Sequence, residues 1–451
     1  MGFEENVKTQ QNIFQMNLIL NRSMLNRIKG HPQYYKALQW GKLITITGSA
    51  QIIVQGVGFA SGLLIIHLLP IHEYALYTLS NTMLGTMTLL ADGGIGTGVL
   101  SQGGKVWQDK EKLGVILATG LNLRRKFALG SLLFAIPILI YLLLRNDADW
   151  ITAILIVVSL IPAFFAALSD SLLEIFPKLH QDILPLQKNQ ISVGIGRLVL
   201  TGLTIFIFPW TFVAVLAGGI PRIYGNIKLR KIAENFVDNK QIPDPIIEKE
   251  ILTVVKRVLP GAIYYCLSGQ ITVWLISIFG NATSVAQVGA LGRVSVLLGL
   301  FATIFSTLLV PRFARQKNEY KVLLNQFLSN ILILIVICLF VVLGISLFST
   351  QFLWILGGNY RGLDAALVLN VIGSCLGLMT GLLFSLSSSR GWLINPYIYI
   401  ITNLLCIVIG IFLFDVSSLI GVLRFNIFIS VIQTLIYSFY TLFKIRQLKS
   451  I

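Results

Sequence analysis

The chain has 451 residues, of which 55% are hydrophobic and 12% are charged, and its mean hydropathy is +0.80. Soluble domains carry roughly 25% charged residues, so the composition excludes an ordinary soluble protein and indicates one that lipid solvates. The net charge of +16 does not indicate nucleic acid as a partner, because the cations alternate along the chain as they do in membrane topology signals.

Twelve apolar segments follow a polar N-terminal segment, residues 1–42, and each approaches the length of about 20 residues that a membrane-spanning helix needs. Their order along the chain is Leu43–Leu69, Ala75–Val99, Phe127–Leu144, Ile151–Leu173, Gln190–Phe208, Thr211–Ile227, Val258–Phe279, Val285–Val310, Leu323–Phe348, Leu363–Leu386, Tyr397–Phe414 and Val416–Phe443. These segments predict an all-α polytopic membrane protein with about twelve transmembrane helices.

The distribution of lysine and arginine predicts the topology. Almost all of the 35 cationic residues fall in the first and every second gap between spans, and the other gaps hold only Arg145 and Arg361. Cationic loops remain on the cytoplasmic side during insertion. We therefore expect both termini in the cytoplasm, with some attraction of the basic loops to anionic membrane lipids.

A polar segment divides the predicted spans into two sets of six. Residues 228–257 include Pro243 and Pro245, which disfavour a continuous helix, so we interpret them as a cytoplasmic linker between lobes at residues 43–227 and 258–443. A short tail, residues 444–451, completes the chain. Two lobes of equal orientation around a central cavity are typical of transporters that open alternately to each side.

The sequence carries no recognisable catalytic, cofactor or metal site. A phosphate loop around Gly104 and Lys105 fails, because Val99 stands where the first glycine belongs and Val106 replaces the Ser/Thr that would hold Mg²⁺. The four cysteines and four histidines are scattered, which does not support zinc or a disulfide framework. We therefore expect no enzyme activity and no cofactor, with transport energy supplied by a partner, an ion gradient or the substrate gradient.

Three arginines lie inside apolar runs: Arg197, Arg293 and Arg424. Ionisable side chains at membrane depth are costly and usually face a wet interior. Guanidinium groups bind phosphate bidentately, so together these arginines predict a cationic cavity that binds a diphosphate. A structural or interfacial role for each one is the alternative.

Other polar side chains within the spans are candidates for weaker roles. Asp92 could relay a proton, pair with a cavity arginine or satisfy the ends of neighbouring helices. Asp170 and Glu174, one helical turn apart, could couple transport to a proton or ion. Gln51 and Gln55, also one turn apart, could contact sugar hydroxyls or bond neighbouring helices.

Two segments resemble bacterial polysaccharide flippases. One is the run LLPIHEYALYTLSNTMLGTMTLLADGGIG (68–96). It is similar to the region between the family's first and second helices, where an outer turn leads into a long second helix, although Ala75 stands where the family has glycine. The run from Phe279 to Arg315 resembles the corresponding segment of the second lobe, with its terminal Pro-Arg.

The resemblance implies the multidrug/oligosaccharidyl-lipid/polysaccharide (MOP) exporter superfamily and its O-antigen type branch. Members of this branch move polyprenyl-diphosphate-linked oligosaccharides from the inner to the outer leaflet during polysaccharide biosynthesis. The resemblance therefore also implies a location in the bacterial inner membrane. The implied partners are that glycolipid, membrane lipids, a polysaccharide polymerase and other glycan-assembly proteins. The drug-exporting branch typically has an acidic residue in its first helix, which span one lacks.

Two alternatives remain open at this point. A secondary transporter of a small solute or drug, of the MATE or major facilitator kind, shares the six-plus-six layout. A membrane-embedded glycan polymerase or ligase would need a sizeable outer loop, whereas the largest outer gap here is Ser349–Gly362.

Overall fold

A computed structural model describes residues 32–180, 182–296, 319–390, 392 and 394–448, and residues 298–299, 301–302, 305, 309–310, 313 and 316 between them. The chain forms two compact units, Met1–Ile53 and Val54–Ile451. All side-chain contacts reported below lie within the second unit.

The described residues form fifteen α-helices and no β-strand. The helices are α1 (Pro32–Leu68), α2 (Ile71–Asp92), α3 (Ile95–Lys105), α4 (Lys110–Arg145), α5 (Trp150–Leu173), α6 (Ile175–Leu179), α7 (Leu184–Ile207), α8 (Thr211–Ala233), α9 (Pro245–Phe279), α10 (Ala282–Val296), α11 (Tyr320–Leu347), α12 (Ser349–Leu356), α13 (Asp364–Ser389), α14 (Pro396–Leu413) and α15 (Leu419–Gln447). The predicted all-α fold class is confirmed.

In the described part of the chain, each predicted span falls on one of these helices, except that Ala75–Val99 covers both α2 and α3; the predicted span Val285–Val310 extends past α10 beyond the continuously described residues. Within the described residues, eight helices are long and apolar enough to cross a membrane, or nine if the bent pair α2 and α3 is one span. The other three predicted spans fall on α8, α9 and α10. Charged residues lower the hydropathy of α8 and of the start of α9. The described part of α10 has 15 residues, which is shorter than a membrane span.

Polar residues between the spans begin several helices. Asp109 accepts a hydrogen bond from the backbone N–H of Lys112 (3.1 Å), which holds the pKa of this exposed carboxyl below its ordinary value. Asp244 accepts from the N–H of Ile246 (2.7 Å), and Pro245 occupies the first turn of α9. Asp109 and Asp244 are both N-terminal caps of their helices. The cap at Asp244 sets the point where helical structure resumes after the interruption predicted from Pro243 and Pro245.

Helix α2 packs against five other helices, α4, α5, α8, α9 and α10. The consecutive residues Tyr74 to Ser80 are all buried, so every side of the helix is covered over this stretch. Thr78 faces Gly289 of α10 so closely that a Cβ at Gly289 would collide with it. Helix α2 therefore joins the N-terminal and C-terminal halves of the chain.

A second apolar core lies beside the predicted cytoplasmic ends of the helices. It includes Ile95, Val99, Leu113, Phe176 and Ile251 from α3, α4, α6 and α9. The segment between α8 and α9 is bonded to α4, because the N–H of Asp238 donates to the carbonyl of Lys110 and the N–H of Asp244 donates to Thr119 Oγ1, both at 3.0 Å. The predicted lobe and linker boundaries themselves stay a prediction.

Candidate functional site

Tyr77 of α2 brings together two of the three arginines predicted to line a cavity. Nη2 of Arg197 (α7) donates to Tyr77 Oη at 3.0 Å. The guanidinium of Arg293 (α10) interacts electrostatically with the hydroxyls of both Tyr74 and Tyr77. The site therefore contains one cation from each half of the chain and a phenol between them.

Two glycines make room for these long side chains. A Cβ at Gly62 (α1) would lie 3.1 Å from Cδ and 3.4 Å from Nε of Arg293, and a Cβ at Gly218 (α8) would lie 3.3 Å from Nε of Arg197. Small residues allow close approach inside a helical membrane protein. The glycines thus determine where the two guanidinium groups lie.

The two cations have no carboxylate partner within the described residues. Five ion pairs are found there, and none includes Arg197 or Arg293. The Nε atom of Arg197 is buried and lacks a hydrogen-bond partner among the described groups. Like charges repel strongly in a low-dielectric interior, so the arrangement favours an anion that two guanidinium groups can share.

Arg424, the third predicted arginine, is exposed on α15. It lies at helical spacing from the exposed side chains of Val431, Leu435 and Phe439. Its guanidinium makes no hydrogen bond or ion pair with any residue that the structure describes. A role for Arg424 in binding stays a prediction.

Asp92 is paired with Arg124 of α4, and neither of the central arginines contacts it in the described structure. Arg124 is buried, donates to Asp92 Oδ1, and also donates to the carbonyl of Leu168 and to Ser171 Oγ. The same Asp92 oxygen accepts from the N–H of Gly96 at 3.1 Å, which caps α3. Asp92 therefore has a structural partner at the bend between α2 and α3, where the helix axes differ by 46°.

Arg124 is a residue that the sequence reasoning missed, because it was counted among the cations of a cytoplasmic loop. The signal that identifies it is helical spacing. Leu113, Leu117, Gly120, Arg124 and Ala128 form one buried stripe of α4.

Asp170 and Glu174 each have polar partners. Asp170 lies 3.3 Å from Nε of Arg222 and accepts from Asn226 Nδ2 at 2.7 Å. Glu174 lies 2.6 Å from Nζ of Lys178 and accepts from Gln190 at 3.0 Å. Both carboxylates are therefore compensated by cations, and their role in proton or ion coupling stays a prediction.

A cavity of about 400 Å³ lies between α1, α2, α5, α7 and α8. It reaches Tyr77 and Arg197 at one end and Asp170 and Glu174 at another. Its polar lining consists of Ser61, Tyr77, Asn81, Asp170, Ser171, Glu174, Asn189, Gln190, Arg197 and Arg222. Gln55 is half-buried on α1 and outside this lining, and the side chain of Gln51 lies outside the described residues.

The comparisons with known proteins identify the fold. No family model matches the sequence, and no curated protein is similar to it in sequence. Among solved structures, an inward-facing multidrug resistance MATE family transporter of the MOP superfamily has a TM-score of 0.69 at 17% identity, covering 87% of this chain and 95% of its own. The chain has a MATE-like transporter fold.

Two further structures with the MATE-like fold cover nearly the same residues. An outward-facing MATE family transporter gives a TM-score of 0.62 at 18% identity, covering 91% of this chain and 97% of its own. A MOP superfamily transporter from Pyrococcus furiosus, described by the reverse polarity of its binding pocket, gives 0.61 at 18% identity, covering 90% and 96%. These comparisons show that the chain shares the MATE-like fold with MOP structures. The fold alone does not distinguish the polysaccharide flippase branch from the drug-exporting branch.

Proposed function

We propose that this protein is a flippase that moves a polyprenyl-diphosphate-linked oligosaccharide across the bacterial inner membrane by alternating access. The observation that carries the proposal is the pair of guanidinium groups, from Arg197 and Arg293, that meet at Tyr77 and have no carboxylate partner in the described part of the chain. Two phosphates joined by one oxygen present acceptor oxygens on both sides, and two arginines can bind them at once.

The depth of the site supports a cargo that carries charge through lipid. Arg197 lies ten residues before the end of α7 and Arg293 eleven residues after the start of α10, so each is about 15 Å along its helix from the predicted outer end. The hydrocarbon core is about 30 Å thick. Cations at this depth are costly unless a polar ligand or water solvates them.

The origin of the two arginines supports alternating access. Arg197 belongs to the first half of the chain and Arg293 to the second, whose helix α10 packs on α2. A ligand that binds both arginines is sensitive to the distance between the halves. Differential binding to two conformations is what allows a ligand to shift their populations.

A MATE-like transporter of a small solute or drug is the second candidate, because two of the similar structures are described as multidrug resistance transporters. The acidic residues of the cavity, Asp170 and Glu174, are the feature that a cationic drug would use. Their pairing with Arg222 and Lys178 weighs against this use. The reverse-polarity pocket described for another MOP structure shows that pocket charge varies within this fold.

The test is export of surface glycan by cells that carry Arg197→Gln, Arg293→Gln or both, with membrane levels measured by immunoblot. We expect loss of surface glycan while the protein remains in the membrane. Arg361→Gln, at an exposed arginine of a predicted outer loop, is the matched control and should export normally. Undiminished export in the double variant, or changed drug resistance without changed glycan, would favour the second candidate.

The remaining proposals follow from this function. A flippase of this kind delivers glycolipid to a polysaccharide polymerase and works beside other glycan-assembly proteins. It would sit in the inner membrane with both termini in the cytoplasm, as the cation distribution predicts.

A further inference from the structure

We infer that the cavity between α1, α2, α5, α7 and α8 is the subsite for the sugar that adjoins the diphosphate, an inference that rests on the proposed function. The cavity has about 400 Å³ of space, within the range of about 300–1,000 Å³ that holds small-molecule ligands. It is separate in lining from Arg293 but shares Tyr77 and Arg197 with the anion site.

Continuity between the two sites fixes the order of the ligand groups. In a diphosphate-linked glycan, one phosphate is bonded directly to the first sugar. A diphosphate held between Arg197 and Arg293 therefore presents that sugar at Tyr77, where the cavity begins. Tyr77, Leu84 and Val57 all line this cavity and provide apolar surface for the carbon face of a sugar.

The charge balance of the cavity suits a neutral polar group. Its lining holds two carboxylates, Asp170 and Glu174, and two arginines, Arg197 and Arg222. Asp170 is bonded to Arg222, and Glu174 is bonded to Lys178 just beyond the lining. A cation would have to compete with these partners for a carboxylate, whereas uncharged hydroxyl groups need only the remaining lone pairs and N–H groups.

Besides Arg197 Nε, two buried polar atoms of lining residues lack hydrogen-bond partners among the described residues. Ser61 is 3% exposed and its Oγ is unpaired, and Asn189 is 6% exposed and its Oδ1 is unpaired. An unpaired buried polar group costs roughly 1–3 kcal/mol, so each favours a ligand that brings a hydrogen bond. Asn189 is positioned by its own amide, since Nδ2 donates to the carbonyl of Gly225 at 3.0 Å.

A larger side chain at Gly58 would occupy the cavity without colliding with its walls. This glycine lines the cavity, and a Cβ there would meet nothing within 4 Å. Gly56 on the same helix also has open space at its Cβ but does not line the cavity. Valine at the two positions therefore makes a matched pair with the same change in helix propensity.

The experiment measures binding of two probes to the purified full-length protein in nanodiscs. The probes are a polyprenyl diphosphate without sugar and the same lipid carrying N-acetylglucosamine or galactose. For wild type we expect at least one sugar-bearing lipid to bind about tenfold more tightly than the sugar-free lipid. Gly58→Val should abolish that difference and leave sugar-free binding intact, whereas Gly56→Val should behave as wild type.

Ser61→Ala tests the polar contact. It should weaken sugar-lipid binding severalfold without affecting the sugar-free lipid, and Ser169→Ala, at another buried and unpaired serine of the same half, should change neither. If wild type binds sugar-free and sugar-bearing lipids equally, or if Gly58→Val weakens both alike, the sugar subsite is wrong although the proposed function stands. If wild type binds neither lipid, the proposed function fails with it.

Discussion

At the scale of single residues, the hydroxyl of Tyr77 is the contact on which the proposed anion site depends. It accepts from Arg197, faces Arg293, and is held by a ring that stacks on Tyr74 with centroids 6.2 Å apart. The stacking holds the ring in place independently of the hydroxyl. Substitution by phenylalanine therefore removes the hydrogen bond to Arg197 while keeping the ring packing.

We predict that Tyr77→Phe weakens binding of polyprenyl diphosphate without unfolding the protein. Hydrogen bonds to charged groups contribute about 1.5–3 kcal/mol, which corresponds to a loss of roughly 10-fold or more in affinity. The measurement is lipid binding in nanodiscs alongside thermal unfolding. Tyr141→Phe, at an exposed tyrosine of α4, is the control, and equal affinity in both variants would contradict the prediction.

Gly62 offers a second test, because it acts only through Arg293. A methyl group at Gly62 meets Arg293 Cδ at 3.1 Å, so we expect Gly62→Ala to displace the guanidinium from Tyr77 and to reduce glycan export several-fold. The flexible arginine can yield, so the folded state should remain. Gly56→Ala adds the same methyl group to open space and should export normally; reduced export in both would indicate a general effect on α1.

At the scale of helices, the bend between α2 and α3 depends on one buried ion pair. Gly93 and Gly94 adopt positive φ angles of 48° and 94°, which side chains with a Cβ disfavour. Asp92 then caps α3 and neutralises Arg124 at the same time. The helix bends because its backbone turns there and because α3 is fixed to α4.

We predict that Asp92→Asn destabilises the protein more than Arg124→Gln does. The first change leaves a buried guanidinium without its counterion, a loss that costs about 3–5 kcal/mol in other proteins, whereas the second leaves a carboxylate that is one-third exposed to solvent. The double variant should recover part of the lost stability. Thermal unfolding in detergent gives the ranking, and additive losses in the double variant would exclude coupling between the two residues.

The sequence predicted the helices better than their contacts, for a physical reason. Hydropathy depends on each segment alone, so the predicted spans fall on helices wherever the structure describes them. Partners depend on tertiary packing. Of the roles left open for Asp92, the structure shows the one at a helix end. Its cation is Arg124, from a stretch that the sequence assigned to a loop because α4 extends 17 residues before the predicted span begins at Phe127.

At the scale of the whole second unit, the two halves of the chain meet on the predicted outer side. Thr78 of α2 packs on Gly289 of α10, and Asn146 Nδ2 donates to Ser277 Oγ at 2.8 Å and to its carbonyl at 3.2 Å. Alternating access requires these contacts to break when the outer side opens. Because Arg197 and Arg293 lie about 15 Å from the predicted outer ends of their helices, the proposed anion site is on the cytoplasmic side of these contacts.

We predict that Gly289→Leu shifts the protein toward an outward-open state, because the new side chain cannot fit against Thr78. A cysteine introduced at Asn81, an exposed residue of the cavity lining, in a background without native cysteines, would report the shift. A membrane-impermeant maleimide added outside cells should label it faster in the leucine variant. Gly292→Leu, where a Cβ meets nothing within 4 Å, is the control, and equal labelling would contradict the prediction.

Which cargo the MATE-like fold carries could not be read from its helices. The same architecture is shared by proteins described as multidrug transporters and by one whose pocket polarity is reversed. Single side chains decide the matter, and the sequence indicated Arg197 and Arg293 only through their cost at membrane depth. Their convergence on Tyr77 depends on how α7 and α10 cross α2.

The attachment of the chain segment before α9 makes that helix a lever. Its starting end is fastened to α4 through Asp238 and Asp244, while its far end is bonded to Asn146 and packs against α2 and α10 around the buried Ile276. With 35 residues, α9 is about 52 Å long, so a tilt of ~10° about the fastened end moves the other end by ~9 Å. A small rotation at the fastened end is therefore enough to open an aperture of that width, once the Asn146 amide and the packing around Ile276 are released.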